Sequence, residues 1–203
     1  MFVTAFTPPE YFGANMYVIS SEGFGAVIDP SCDYFEIKDF LIRNNIDVKY
    51  VILTHAHFDH IFEIDSWAKN TSCEVIVGVN EAPSLADSNL NCYKLFFNLD
   101  RKYLGPYSTV KDGDVLELGC ESIRIIETPG HSAGSISLSV DNKLFVGDTV
   151  FAGNSYGRTD LPGGDAKKLF ESINLIKSLP PETVVYPGHG PKTSVAELKR
   201  NLI

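Results

Sequence analysis

The sequence predicts an α/β fold in which stacked β-sheets are covered by helices. Three observations carry that expectation. Strand-like and helix-like segments alternate along the chain and recur in roughly the same order in two halves. Several strand-like runs are apolar throughout rather than alternating, as in strands buried on both faces. The 203 residues contain no linker and no low-complexity run, so one domain spanning 1–203 is expected.

The elements follow in order. "MYVIS" (16–20) and "GAVIDP" (25–30) read as strands. "FEIKDFLIRNN" (35–45) places Phe35, Ile37, Phe40, Leu41 and Ile42 at amphipathic-helix spacing. "VKYVILTH" (48–55) is a β-branched run typical of a buried strand. "DHIFEIDSWAKN" (59–70) reads as a helix and "EVIVG" (74–78) as a strand. The weakly periodic 80–103 reads as short helical turns in a connecting segment. Strands recur in "DVLELG" (114–119), "SIRIIETPG" (122–130), "SISLSV" (135–140) and "KLFVGD" (143–148), with Asp141-Asn142 as a tight hairpin. "DAKKLFESINLIKSL" (165–179) is an amphipathic helix, "TVVYPGHG" (183–190) a strand and loop, and "VAELKRNL" (195–202) a final helix.

Composition narrows the function. Apolar residues make up 44% and charged residues 21%, ordinary for a soluble globular chain. The net charge of −9 argues against a nucleic-acid partner, because phosphate binding needs a cationic footprint. Cys32, Cys73, Cys92 and Cys120 are widely spaced with no C-x-x-C pair, and are expected to be reduced, mostly buried thiols. The N-terminal stretch lacks a basic region and carries a Pro-Pro pair, so it does not read as a signal peptide. No apolar run is long enough to span a membrane. A cytoplasmic protein with no membrane partner is expected.

The densest chemistry is "THAHFDH" (54–60), which holds three of the five histidines. His55 and His57, two apart in extended chain, share a side. Asp59 and His60 are expected to fall where a helix begins, so Asp59 suits the positive helix end as well as a metal. The stretch therefore offers two adjacent half-sites. A zinc-like ion needs three or four N/O/S ligands, so each half needs partners. His131 in "ETPGHSAGS" and His189 in "VVYPGHG" each follow a strand and a Pro-Gly turn, and Asp148 ends the apolar run "LFVGD". A lone histidine is usually an ordinary surface or core residue, and a lone Asp after Gly a turn residue. The incomplete cluster is what makes these three candidate ligands.

"THAHFDH", "TPGH", "GDTVF" and "YPGHG", in this order and at these intervals, resemble the metallo-β-lactamase-fold hydrolases, and among them the short single-domain members of the glyoxalase II-like branch. The resemblance runs from "NMYVI" and "VIDP" to "PGHG". It implies a four-layer αββα sandwich, two mixed β-sheets flanked by helices, with the site at one edge. It implies that His55, His57 and His131 hold one divalent ion, that Asp59, His60 and His189 hold a second, and that Asp148 bridges both. Thr54 and Asp29 become supports of those ligands. The activity implied is hydrolysis of a small thioester by a metal-bridging hydroxide, with Asp59 also orienting that hydroxide, and with zinc, iron or manganese as the metal.

The pattern also departs from that branch. The two-domain glyoxalase II enzymes continue into a helical extension that helps bind glutathione, and this sequence ends soon after "YPGHG". In "GNSYGRTDLPGG" (153–164), Arg158 stands where those enzymes have a lysine and Asp160 where they have a tyrosine. Arg158, Tyr156 and Asp160 are candidate substrate contacts. A local Arg158–Asp160 ion pair that pins the loop is the competing reading. "GRTD" is also similar to the persulfide dioxygenases of this fold, in which residues matching His55, His131 and Asp148 hold one iron. A non-catalytic metal- or redox-binding module is the third possibility. The oligomeric state is not encoded in these motifs.

Overall fold

A computed structural model of the chain describes residues 1–8, 13–153 and 155–201. Pro9, Asn154 and Leu202, which fall within segments read above, lie outside the described residues.

The first half forms a six-stranded mixed sheet. Its strands are β1 (Phe2–Phe6), β2 (Met16–Ser21), β3 (Phe24–Ile28), β4 (Asp47–Leu53), β5 (Glu74–Gly78) and β6 (Ser108–Val110), in that spatial order. β1, β2 and β3 run antiparallel, and β3 to β6 are parallel. The second sheet has the order β14-β13-β10-β9-β8-β7, built from β7 (Val115–Leu118), β8 (Glu121–Glu127), β9 (Ile136–Val140), β10 (Lys143–Gly147), β13 (Val184–Pro187) and β14 (Thr193–Ser194). Only its β10–β13 pair is parallel; β11 (Val150–Phe151) and β12 (Ser155–Tyr156) form a separate ribbon.

Side-chain alternation in the strands sorts the layers. Tyr50 and Ile52 of β4 face the second sheet, where they share a core with Ile125, Leu138 and Phe145. Val51 and Leu53 face the other way, toward Ile37 and Leu41 of α1 (Tyr34–Arg43) and Ile64 and Trp67 of α2 (Ile64–Asn70). Both faces of β4 are covered, which explains its unbroken apolar run. On the far side, Leu144, Val146 and Val185 pack on Leu169, Ile173 and Ile176 of α5 (Ala166–Ser178) and on Val195 and Leu198 of α6 (Val195–Asn201). The result is the expected αββα sandwich of two mixed sheets. Asp33 and Asp165 cap α1 and α5 by accepting from the backbone N–H of Phe35 and Lys168. The connecting segment contributes two short turns, α3 (Ala82–Leu85) and α4 (Tyr93–Phe97).

One expectation near the site is overturned. The helix read from residue 59 begins only at Ile64, so Asp59 and His60 are not at a helix start. Residues 58–63 form a wound turn held by distant partners. Phe58 N–H donates to Asn91 O and Glu63 N–H to Pro30 O. These contacts override the helical spacing because His60 has to turn inward, where it is fully buried. Of the cysteines, Cys32 and Cys92 are buried, Cys73 is partly covered and Cys120 is exposed. Among the described residues no helix is long and apolar enough to cross a membrane.

Candidate metal centre

The site lies where β4, β8, β10 and β13 run out, on the edge shared by the two sheets. Past Leu53 the chain delivers His55, His57, Asp59 and His60; past Glu127 it delivers His131, past Gly147 Asp148, and past Pro187 His189. Ile136 N–H donates to Thr54 O and Gly188 N–H to Gly147 O, so the loops are stitched together. Gly147 has φ 50, and a Cβ there would sit 2.3 Å from Thr54 Oγ1, so this turn needs glycine.

All seven candidate ligands converge. His57 Nδ1 lies 2.8 Å from His131 Nε2, and the His55 ring centroid is 4.7 Å from both of their rings. On the other side His189 Nε2 lies 3.1 Å from Asp59 Oδ2, and His60 Nε2 is 3.8 Å from the same oxygen. Asp148 sits between: Oδ1 is 3.3 Å from His60 Nε2, and Oδ2 is 3.6 Å from His131 Nε2 and 3.5 Å from His189 Nε2. The potential ligand atoms of His55, His57 and His131, of His55, His60 and Asp148, and of Asp59, His60 and His189 each fall within 4.8 Å of one another. Among the described residues, His55 Nε2, His57 Nε2, His60 Nε2 and Asp148 Oδ1 are buried with no hydrogen-bond partner. Buried polar atoms are costly to leave unpaired. An all-N/O donor set with such atoms fits zinc, iron or manganese.

Supporting groups fix the donors. Asp29, whose φ is 54, accepts from Thr54 N–H and Thr54 Oγ1–H, both at 2.7 Å. Its Oδ2 also lies 2.8 Å from His60 Nδ1. His131 Nδ1 faces the Arg158 carbonyl oxygen at 2.8 Å. Two supports were not foreseen from the sequence. Glu81, buried just past β5, accepts from Ala56 N–H, Ser132 Oγ–H and Gly134 N–H, tying the loop of His55 and His57 to that of His131. Asn15 Nδ2 donates to Pro187 O and Gly190 O, bracketing His189. An acid just past a buried strand was the available signal for Glu81, as it was for Asp148.

The titration of the metal-free site reflects burial and charge. Burial, then His131, holds the His57 imidazole down at about 3. Burial, then His60 and His57, also lowers His55 well below its ordinary value. For His60 burial pulls down, but Asp29, Asp59 and Asp148 outweigh it and hold the group well above 6.5. His189 is raised too, with burial opposed by its bond to Asp59. Burial pushes Asp148 up, yet His60, His131 and His189 hold it well below the usual carboxylate range.

The signs give a pH prediction for the metal-free protein. The unfolded chain protonates His57 near 6.5 and the folded chain only near 3, so this group's contribution is lost as pH falls from 6.5 toward 3. His60 is the reverse: its contribution is full below 6.5 and is lost as pH rises through its elevated value. Urea unfolding in chelator should therefore show stability falling on both sides of neutrality. His57→Gln should flatten the acid flank and spare the alkaline one; an unaltered acid flank would contradict the assignment.

Close packing adds a second prediction. A Cβ on Gly188 would meet Asp148 Oδ1 at 2.2 Å and His60 Cε1 at 2.6 Å. Gly188→Ala is expected to displace both donors, lower bound metal and cost about 1–3 kcal/mol in a denaturant titration.

A cavity of about 420 Å³ opens over His57, Asp59, His131, Asp148 and His189. Arg158 and Phe151 line it. Arg158 Nε and Nη2 each donate to Asp160 at 2.7 Å, so the competing ion-pair reading of this loop is realised in the structure. Tyr156 is not at the cavity wall; its ring packs edge-on against Phe170 of α5 at 5.2 Å. A larger groove of about 820 Å³ lies at the opposite end of β4, beside Asp47, Lys38 and Thr71, away from every metal-capable cluster among the described residues.

Fold and centre together define a metal-dependent hydrolase class: an αββα sandwich with histidines and aspartates gathered where its strands end. The chain belongs to the metallo-beta-lactamase superfamily, which it matches over residues 10–189. It is 33% identical over 185 residues to the probable metallo-hydrolase YqgX of Bacillus subtilis, covering 90% of this chain and 87% of that one. The BLEG-1 B3 metallo-beta-lactamase structure superposes with a TM-score of 0.90 at 32% identity, covering 98% of this chain and 97% of the other. TTHA1623, solved in a di-iron-bound form, gives 0.85 at 29% identity, covering 98% of each chain.

Proposed function

We propose that this chain is a binuclear hydrolase of small thioesters, acting in the cytoplasm. The carrying observation is the pair of adjacent donor clusters, opening onto a cavity, with Asp148 between them facing His131 on one side and His60 and His189 on the other. In this reading His55, His57 and His131 hold one ion, Asp59, His60 and His189 the other, and Asp148 reaches both. Zinc is the metal we favour from the all-N/O donors, although TTHA1623 was solved with iron. The ions, when bound, lower the pKa of water and polarise a carbonyl oxygen.

The chain's own residues do the rest. Asp59, which lines the cavity, accepts a hydrogen bond from the attacking water and so aims its lone pair at the carbonyl carbon. His131 is kept in register by the Arg158 carbonyl, and His60 by Asp29. Water adds to the carbonyl carbon and the C–S bond breaks. One carboxylic acid and one thiol leave, and no oxidant or reductant is consumed. A thiolate is a good leaving group, so the reaction does not strictly need a dedicated acid on its side.

Metal analysis of the purified protein alongside a thioester panel tests the reading. About two ions per chain and chelator-sensitive hydrolysis are expected. One iron per chain, with oxygen uptake on glutathione persulfide, would replace it with the sulfur-oxygenase reading. Bound metal with no turnover of either substrate class would leave the binding-module reading.

A further inference from the structure

The walls of the cavity carry information that the hydrolytic chemistry does not require. Phe58, Phe96, Phe151 and Leu161 line it together with the donors. The Phe96 ring stands 5.0 Å from that of Phe58, with Phe97 at 5.1 Å on another side of Phe58. Both phenylalanines of α4 are held on a short turn flanked by left-handed residues, Cys92 at φ 67 and Asn98 at φ 54. Such rings offer a substrate apolar area and edge or face contacts. Among the described lining residues Arg158 is the lone lysine or arginine. One edge of its guanidinium, Nε and Nη2, is engaged by Asp160, with side chains 53% and 67% exposed. An anionic substrate that approaches Arg158 meets a charge already compensated by the Asp160 carboxylate beside it, in a chain of net charge −9.

Resting on the hydrolase reading above, we propose that the substrate group seated in this cavity is apolar and uncharged, aromatic or branched aliphatic. The Arg158–Asp160 pair discriminates against anionic thiols of the glutathione kind. Phe58, Phe96 and Phe151 recognise the apolar group, and Asp160 sets the charge preference by pairing with the lone arginine among the described lining residues.

The test uses the metal-loaded protein and two phenylacetyl thioesters, one of N-acetylcysteamine and one of glutathione. The neutral ester is expected to have the higher kcat/KM by at least about tenfold. Asp160→Asn, which frees Arg158, is expected to narrow that ratio several-fold by raising turnover of the glutathione ester. Phe96→Ala should lower kcat/KM for phenylacetyl-N-acetylcysteamine roughly tenfold and for the acetyl ester of the same thiol much less. A wild-type preference for the glutathione ester, or a ratio that Asp160→Asn does not move, overturns the inference. Calorimetric titration with S-benzyl-N-acetylcysteamine and S-benzylglutathione reads the same preference without turnover. Tighter binding of the neutral compound with no hydrolysis of any thioester overturns the hydrolase reading and supports the pocket assignment. Hydrolysis with glutathione preferred does the reverse.

Discussion

Asp148→Asn is expected to release at least one metal ion and to cut kcat/KM by more than the roughly 10–100-fold typical of a supporting group beside a metal. In the proposed two-ion reading, one carboxylate serves both halves of the centre. Oδ1 faces His60 Nε2 at 3.3 Å, while Oδ2 faces His131 Nε2 at 3.6 Å and His189 Nε2 at 3.5 Å. An asparagine keeps the volume but has one acceptor, and its amide presents N–H donors to whichever half it faces. It also removes the negative charge that helps hold His60 and His189 above their ordinary values. Asp59→Asn makes the contrast, since Asp59 lies against His60 and His189. That variant should keep the ion held by His55, His57 and His131. Metal analysis of both variants, with thermal unfolding to confirm folding, separates a bridging role from a local one. Full metal content and wild-type turnover in Asp148→Asn would end the bridging assignment.

Much of this candidate centre could be read from the sequence because its candidate ligands are dense and chemically rare. Three histidines within seven residues demand partners, and the remaining two both follow strand–Pro-Gly turns. The central strands were equally legible, since burial on both faces of β4 leaves the run "YVIL" with no polar interruption. What escaped is fixed mainly by partners elsewhere in the chain. β1 and β6 are short outer strands with mixed burial, and β11, β12 and β14 are two-residue pairings fixed by their neighbours. The start of α2 was misplaced because helical spacing over 59–63 is overridden by contacts to Asn91 and Pro30, distant in sequence. Glu81 stands just past a buried strand, but its supporting role rests on partners far off in sequence: Ala56, Ser132 and Gly134 are 25, 51 and 53 residues away. Tyr156 reads as a pocket residue beside "GRTD", yet its ring is claimed by Phe170 on α5.

The support behind His60 carries the second large expectation. Asp29 takes Thr54 N–H on Oδ1, and both Thr54 Oγ1–H and His60 Nδ1 on Oδ2. An ionised carboxylate can accept all of these, which places a proton on His60 Nδ1 and leaves Nε2, buried and without a hydrogen-bond partner, for a metal. In Asp29→Asn, the acceptor oxygen is best used by the Thr54 N–H, which has no alternative partner in the interior. The amide nitrogen then faces Thr54 Oγ1 and His60 Nδ1 as a donor. His60 can accept that bond only by moving its proton to Nε2, the atom that should ligate the metal. The inversion of one tautomer thus disables a ligand that the substitution does not touch. Asp29→Asn should lose about 10–100-fold in affinity for the ion at Asp59, His60 and His189, while the ion at His55, His57 and His131 is retained. Stability should fall by about 1–3 kcal/mol, from a buried polar group left mismatched. Competitive chelator titration of the two ions and nitrogen-15 chemical shifts of the His60 ring read the two halves of this expectation separately. A ring still protonated on Nδ1 would show that the amide had flipped, and unaltered metal affinity with it would reduce Asp29 to a structural residue.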